Sequence, residues 1–143
     1  MNDWHEISKT PGLTEAFIRK FKDKVQWDFI SYCQILSENF IREFQDRVCW
    51  DNISSDQILS ENFIREFENK LNYESISQQP NLSEEFIREF QDRVLWSSIS
   101  INQNLSEKFI IEFFDKLDLE NLLLNKHITL SKDLTNLIKL QLL

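Results

Sequence analysis

With 143 residues, 28% of them charged and a net charge of −8, the chain is long enough for one domain with a continuous core or for a short repeat array. One Gly and two Pro leave little material for tight hairpins or a phosphate-cradling loop, and the acidic balance argues against a nucleic-acid backbone as main partner while permitting a basic protein. No apolar stretch approaches the roughly 20 residues needed to span a bilayer, and no basic and apolar leader follows Met1, so the expected setting is soluble and intracellular.

Internal periodicity organises everything else. Trp4, Trp27, Trp50, Tyr73, Trp96 and Leu119 stand 23 residues apart. Ile7, Ile30, Ile53, Ile76, Ile99 and Leu122 keep the same interval, as do the leucines at 13, 36, 59, 82 and 105. Two phenylalanine columns follow, Phe17, Phe40, Phe63, Phe86 and Phe109, then Phe21, Phe44, Phe67, Phe90 and Phe113. Val25, Val48, Leu71, Val94 and Leu117 close the pattern. Agreement of six columns over five copies excludes coincidence.

Taken in chain order, the first copy departs from the rest: Thr14, Ala16 and Lys20 replace Ser, a polar residue and Glu, and Lys22 and Lys24 add positive charge. Such changes suit a capping repeat. In the next copy Ser37 sits at a helix N-cap position, Leu36 and Ile41 are placed to staple the chain entry, and Glu38 suits the positive end of the helix dipole. Phe40, Ile41, Phe44 and Val48 form one apolar stripe, which predicts a helix of about three turns. Glu38, Arg42 and Asp46, four residues apart, predict a solvated, charge-paired row on its other face. Trp50 and Ile53 share a face of a second, shorter helix running to about Ser55. The four residues before the next Leu-Ser read as a loop, with Pro11 and Pro80 in the same phase. The expected unit is long helix, tight turn, short helix, loop. Towards the other end Ile111 replaces Arg and Phe114 replaces Gln, and the Leu-Ser signal slips by two residues to Leu130-Ser131. The leucine-rich segment Leu134–Leu143 then reads either as a helix closing the array or as an exposed edge for self-association.

The predicted fold class is therefore all-α: an α-solenoid of about six 23-residue helix-turn-helix repeats forming a single repeat domain over 1–143. Units start near 4, 27, 50, 73, 96 and 119, with a C-terminal capping helix at about 131–143. A lone unit buries too few large side chains to offset the entropy of ordering its backbone, so the units are expected to be stable only as a set.

The repeat text W-D-x-I-S-x-x-Q-x-L-S-E-x-F-I-R-E-F-x-D-K-V, best seen in Trp27–Val48 and Trp50–Leu71, resembles short tandem repeats found in many copies in proteins encoded by giant DNA viruses of amoebae, the mimivirus-like group. The resemblance covers nearly the whole chain, weakening after Leu119. It implies helical repeats and a viral or host-cell setting, host cytoplasm or virion, and brings no activity to place on residues. The Asn/Ile/Lys/Phe-rich composition is also similar to that of proteins from AT-rich genomes.

Chemistry-bearing residues are few or repeated. Cys33 and Cys49 occupy different phases with no Cys-x-x-Cys spacing, and are expected to be free thiols. His5 and His127 lie near opposite ends, without metal-ligand spacing, and no cofactor is implied. Carboxylates such as Glu84 and Glu85 recur on the solvated helix face, and Ser37 and Ser60 are explained as caps. A repeat multiplies one side chain into a ladder, whereas catalysis needs a unique constellation. The loop after the short helix varies from copy to copy, which makes Tyr32, Asp56, Gln78 and Ile101 the candidate partner-binding positions. The functional expectation is a non-enzymatic repeat scaffold that binds a protein through its repeated helical surface or this loop edge. The alternative is an acidic modulator or reader of nucleic-acid complexes, for which the positive column Arg19, Arg42, Arg65 and Arg88 is set among acidic neighbours.

Overall fold

Hydroxyl caps start every second helix. Ser37 Oγ accepts the Phe40 N–H at 3.1 Å, and Thr14, Ser60, Ser83, Ser106 and Ser131 act alike three residues ahead of their partners. A glutamate or a lysine follows each cap, and the chain then turns into helix.

The computed structural model describes residues 3–143, which hold twelve α-helices and no strand. They fall into two compact units, one ending at Asn72 and the other starting at Tyr73. The first contains α1 (Trp4–Lys9), α2 (Glu15–Lys20), α3 (Trp27–Cys33), α4 (Glu38–Glu43), α5 (Trp50–Asp56) and α6 (Glu61–Glu66). The second contains α7 (Tyr73–Ile76), α8 (Glu84–Glu89), α9 (Trp96–Asn102), α10 (Glu107–Glu112), α11 (Leu119–Leu124) and α12 (Lys132–Gln141). Each unit is an all-α array of three helix pairs stacked in solenoid order: α1 packs on α3 and α3 on α5 in the first, α9 on α11 in the second.

The helix lengths invert the expectation from the apolar stripe. The Phe-bearing helix of about three turns is instead six residues, and its Trp-bearing partner reaches seven in α3, α5 and α9. The cause lies at Phe44, which leaves helical geometry at φ −109°, ψ 28°. The carbonyls that would carry the helix onward are taken by side chains: Gln45 Nε2 donates to Arg42 O at 3.2 Å, and the Trp50 indole N–H donates to Gln45 O at 3.0 Å. Gln91 and Trp96 repeat both bonds in the second unit. One further turn, closed by the Arg47 and Val48 N–H groups on Phe44 O, keeps Val48 buried beneath the stripe.

Within each repeat three rings form one cluster. Trp27 lies 4.9 Å from Phe44, and Phe44 4.7 Å from Phe40, between ring centroids; Trp50, Phe63 and Phe67 and Trp96, Phe109 and Phe113 copy it. Around them Ile30, Ile41, Ile53, Ile64, Ile87 and Ile99 are fully buried. In the first repeat Ile7, Leu13, Phe17 and Phe21 remain only half-buried.

A column of serines, not singled out by the sequence reading, joins consecutive repeats. Ser8, Ser31, Ser54, Ser77 and Ser100 are completely buried. Ser31 Oγ donates to Trp27 O at 2.8 Å in its own helix and accepts the Cys49 N–H of the next repeat at 2.9 Å. Ser100 does the same between Trp96 O and the Asp118 N–H. The hydroxyl is thereby satisfied both as donor and as acceptor.

The C-terminal helix begins at Ser131 as the Leu-Ser signal requires, and runs to Gln141 rather than Leu143. It buries Leu134 and Ile138, while Leu137, Leu140, Leu142 and Leu143 are exposed. No helix among the described residues is long and apolar enough to cross a membrane.

Ser31→Ala would leave the half-buried Cys49 N–H without its acceptor. The expected loss is about 1–3 kcal/mol in urea unfolding at unchanged slope, and Ser100→Ala should behave alike. A change under a few tenths of a kcal/mol at both positions would show the column to be dispensable.

Candidate interaction surface

Much of the polar inventory is consumed by stacking, and what is left over defines the surface. The four-residue loop was expected to vary freely, yet in the three copies that carry glutamine at its third position that residue is fixed inside. Gln34 is buried: its Nε2 donates to Ser8 O at 3.1 Å and Thr10 O at 2.8 Å, and its Oε1 accepts the Leu13 N–H at 3.0 Å. Gln57 repeats this on Ser31 O, Gln34 O and the Leu36 N–H, and Gln103 on Ser77 O, Gln79 O and the Leu82 N–H. Asn125, shorter by one methylene, reaches Ser100 O and Gln103 O at 2.8 and 2.9 Å. A carboxamide alone supplies two donors and an acceptor in one plane, so no other side chain can satisfy all three loop groups.

The charged row also differs from expectation. Arg42 lies 4.0 Å from Glu38 in its own helix but 2.8 Å from Glu66 in the next repeat, and Asp46, beyond the end of α4, is not its partner. Arg19 pairs with Glu43 at 2.8 Å and Arg88 with Glu112 at 2.9 Å. Each guanidinium also stands 5.1 Å from the ring centroid of the next repeat's Phe40, Phe63 or Phe109. The Glu66 hydrogen bond raises the Arg42 pKa above its usual value, and the bond to Glu112 does the same for Arg88. Reciprocally, the hydrogen bond from Arg88 holds the Glu112 carboxyl below the usual carboxylate value. Lys20 occupies the register of Glu43 one repeat earlier, and Ile111 that of Arg88 one repeat later.

A second set of carboxylates reaches backbone. Glu15 accepts the Ser37 N–H at 2.7 Å, Glu38 the Ser60 N–H at 2.6 Å and Glu84 the Ser106 N–H at 2.6 Å; Glu107 accepts that of Ser131.

Against this background the four candidate positions can be placed. Tyr32, in the last turn of α3, is exposed, and Asp56, the last residue of α5, is exposed beside Ser55, whose hydroxyl it accepts; both belong to the first unit. In the second unit Gln78 is exposed just after α7, and Ile101 is half-buried within α9. Three of the four therefore lie on helix ends rather than in loops. Sequence reasoning passed over two larger apolar exposures in the first unit, Ile35 at 97% and Ile58 at 80%, next to the buried amides of Gln34 and Gln57. The signal was present, an isoleucine between a fixed Gln and a fixed Leu in two successive copies.

Elsewhere no constellation gathers. Cys33 and Cys49 are half-buried free thiols, His5 lies edge-on to Phe29 at 4.7 Å, and no group of three metal-ligating side chains meets among the described residues. Compared with protein-family models, with curated proteins and with solved structures, the chain matches none.

Because the folded pKa of Glu112 is lowered, its pair with Arg88 stabilises the fold above the ordinary carboxylate value and is lost as pH falls through the depressed one. In Arg88→Ala the Glu112 carboxyl should titrate higher, back towards the ordinary carboxylate range, as read by NMR of its side-chain carbon. A midpoint unmoved by the substitution would rule out Arg88 as the cause.

Proposed function

We propose that the chain is a non-enzymatic repeat scaffold that binds a protein partner through the exposed edge formed by helix ends and the loops after them. The observation that carries this reading is the apolar exposure at Ile35 and Ile58, beside Tyr32 at 60%, in a unit whose other large side chains serve the core or the ladders. Asp56 adds a copy-specific exposed carboxylate on the same unit; Gln78 and Ile101 are the copy-specific positions of the other unit, taken by itself. Repetition favours such a role over catalysis, since most side chains recur in the same bonds from copy to copy. The alternative of a nucleic-acid reader finds less support: Arg19, Arg42 and Arg88 are each engaged by a glutamate, so these arginines do not offer free charge to phosphates.

The proposal extends to setting and assembly. An intracellular location, with the viral or host-cell origin that the repeat text suggests, suits two thiols left unpaired. Self-association through α12 is the second reading, supported by Leu137, Leu140 and Leu143 facing outward beside Asn136 and Lys139. With Leu142, four exposed leucines cover far less than the roughly 800 Å² per partner of a stable interface, so any such dimer is weak.

Pull-down with mass spectrometry from the native or infected host lysate tests the main reading. Wild type should return a discrete protein, and Tyr32→Ala combined with Ile35→Ser and Ile58→Ser should lose it at least tenfold without lowering the melting temperature. Capture that survives the triple substitution would move the site off this edge. For the second reading, sedimentation velocity at rising concentration should show a shift towards dimer that Leu137→Ser with Leu140→Ser abolishes; a constant monomer would exclude it.

A further inference from the structure

The bonds between repeats separate by chemistry across the thickness of each unit. Along the Trp-bearing helices they are neutral and made by fully buried serines: the Ser8, Ser31, Ser54, Ser77 and Ser100 hydroxyls accept the N–H groups of Gln26, Cys49, Asn72, Leu95 and Asp118, at the margin of the core, at 2.8–2.9 Å. The carboxamides of Gln34, Gln57, Gln103 and Asn125 reinforce the same layer. Along the Phe-bearing helices the bonds are charged and half-exposed. Glu15, Glu38 and Glu84, with 28, 29 and 26% side-chain exposure, hold the Ser37, Ser60 and Ser106 N–H groups, and the arginines hold Glu43, Glu66 and Glu112.

We infer that each repeat interface within a unit is a hinge, with a salt-insensitive axis in the Trp-helix layer and a salt-dependent latch in the Phe-helix layer. Screening weakens half-exposed charged contacts, while buried hydroxyl and carboxamide bonds carry no net charge to screen. A change in ionic conditions therefore loosens one side of the interface and leaves the other closed. The ring-on-ring contacts of each cluster stay intact, because all three rings belong to one repeat; the arginine stacked on the next repeat's ring belongs to the latch. What moves is the exposed helix layer bearing the arginine and glutamate columns. The ladder is thereby a device that adjusts the spacing of a repeated charged surface without unfolding the core.

The test is amide exchange by ¹⁵N NMR on the full chain, comparing about 0.1 M with about 1 M sodium chloride, over which the Debye length falls from about 10 to about 3 Å. The Ser37, Ser60 and Ser106 amides should lose protection about two- to fivefold relative to those of Cys49, Leu95 and Asp118. At the lower salt, Glu38→Gln should reproduce that relative loss at Ser60 and leave Cys49 and Leu95 unchanged. Equal shifts in both sets, an unchanged ratio at high salt, or a Ser60 amide indifferent to Glu38→Gln would each overturn the hinge.

Discussion

Each interior repeat buries a serine hydroxyl whose two hydrogen bonds point in different directions, one back into its own helix and one forward to the next repeat. A 23-residue unit cannot fold alone, because its aromatic cluster buries too little surface to offset the entropy of ordering its backbone. It therefore needs a neighbour, and apolar contact by itself is non-directional and sets no register. The serine supplies the register. A neighbour displaced by one residue leaves a buried hydroxyl and its partner N–H unsatisfied, a penalty far larger than the loss of one exposed contact. The carboxamides of Gln34, Gln57 and Gln103 apply the same constraint at the opposite end of the Trp-bearing helix, so the interface is pinned at both ends of that layer.

With register fixed by neutral groups, the charged residues are released from a structural duty that an exposed ion pair performs poorly. The Arg–Glu pairs lie over phenylalanine rings and contribute by stacking as well as charge. They also explain the acidic balance in part. Each interior repeat needs one glutamate for arginine and another for the N–H of the following cap, two carboxylates against one guanidinium. Net negative charge is thus built into the repeat itself, before any partner is considered.

The period, the N-caps and the core columns were legible in the sequence because they rest on local rules: a hydroxyl before a helix, aromatic side chains at fixed spacing. The length of the Phe-bearing helix was not. Phe40, Phe44 and Val48 keep helical spacing, and only the indole of Trp50 and the amide of Gln45, arriving from further along the chain, take the carbonyls on which continuation depends. The second, closer partner of Arg42 was missed for a related reason. Spacing along one helix names Glu38, whereas Glu66, 24 residues away, is closer once repeats stack. Buried Gln57 looked like loop because glutamine is usually exposed, and nothing local announces three backbone groups waiting for a carboxamide. As for the surface, sequence variation located Tyr32 and Asp56 on it, but exposure of Ile35 and Ile58 became visible only with coordinates.

The register that holds Ile35 separates what the fold imposes from what it leaves open. In successive copies it reads Gly12, Ile35, Ile58, Asn81 and Asn104. Gly12 and Asn81 follow a proline and sit at φ 82° and 62°, a left-handed geometry that excludes β-branched residues and favours Gly or Asn. Ile35, Ile58 and Asn104 instead follow a clamping glutamine that is itself extended, with ψ between 140° and 149°. Extended backbone accepts isoleucine readily, but Asn104 shows that it does not require it. The fold therefore dictates the residue in the proline copies and only permits it in the glutamine copies. An exposed isoleucine that the backbone tolerates but does not need, twice in succession in one unit, has no explanation in stability. The binding edge proposed above would supply one.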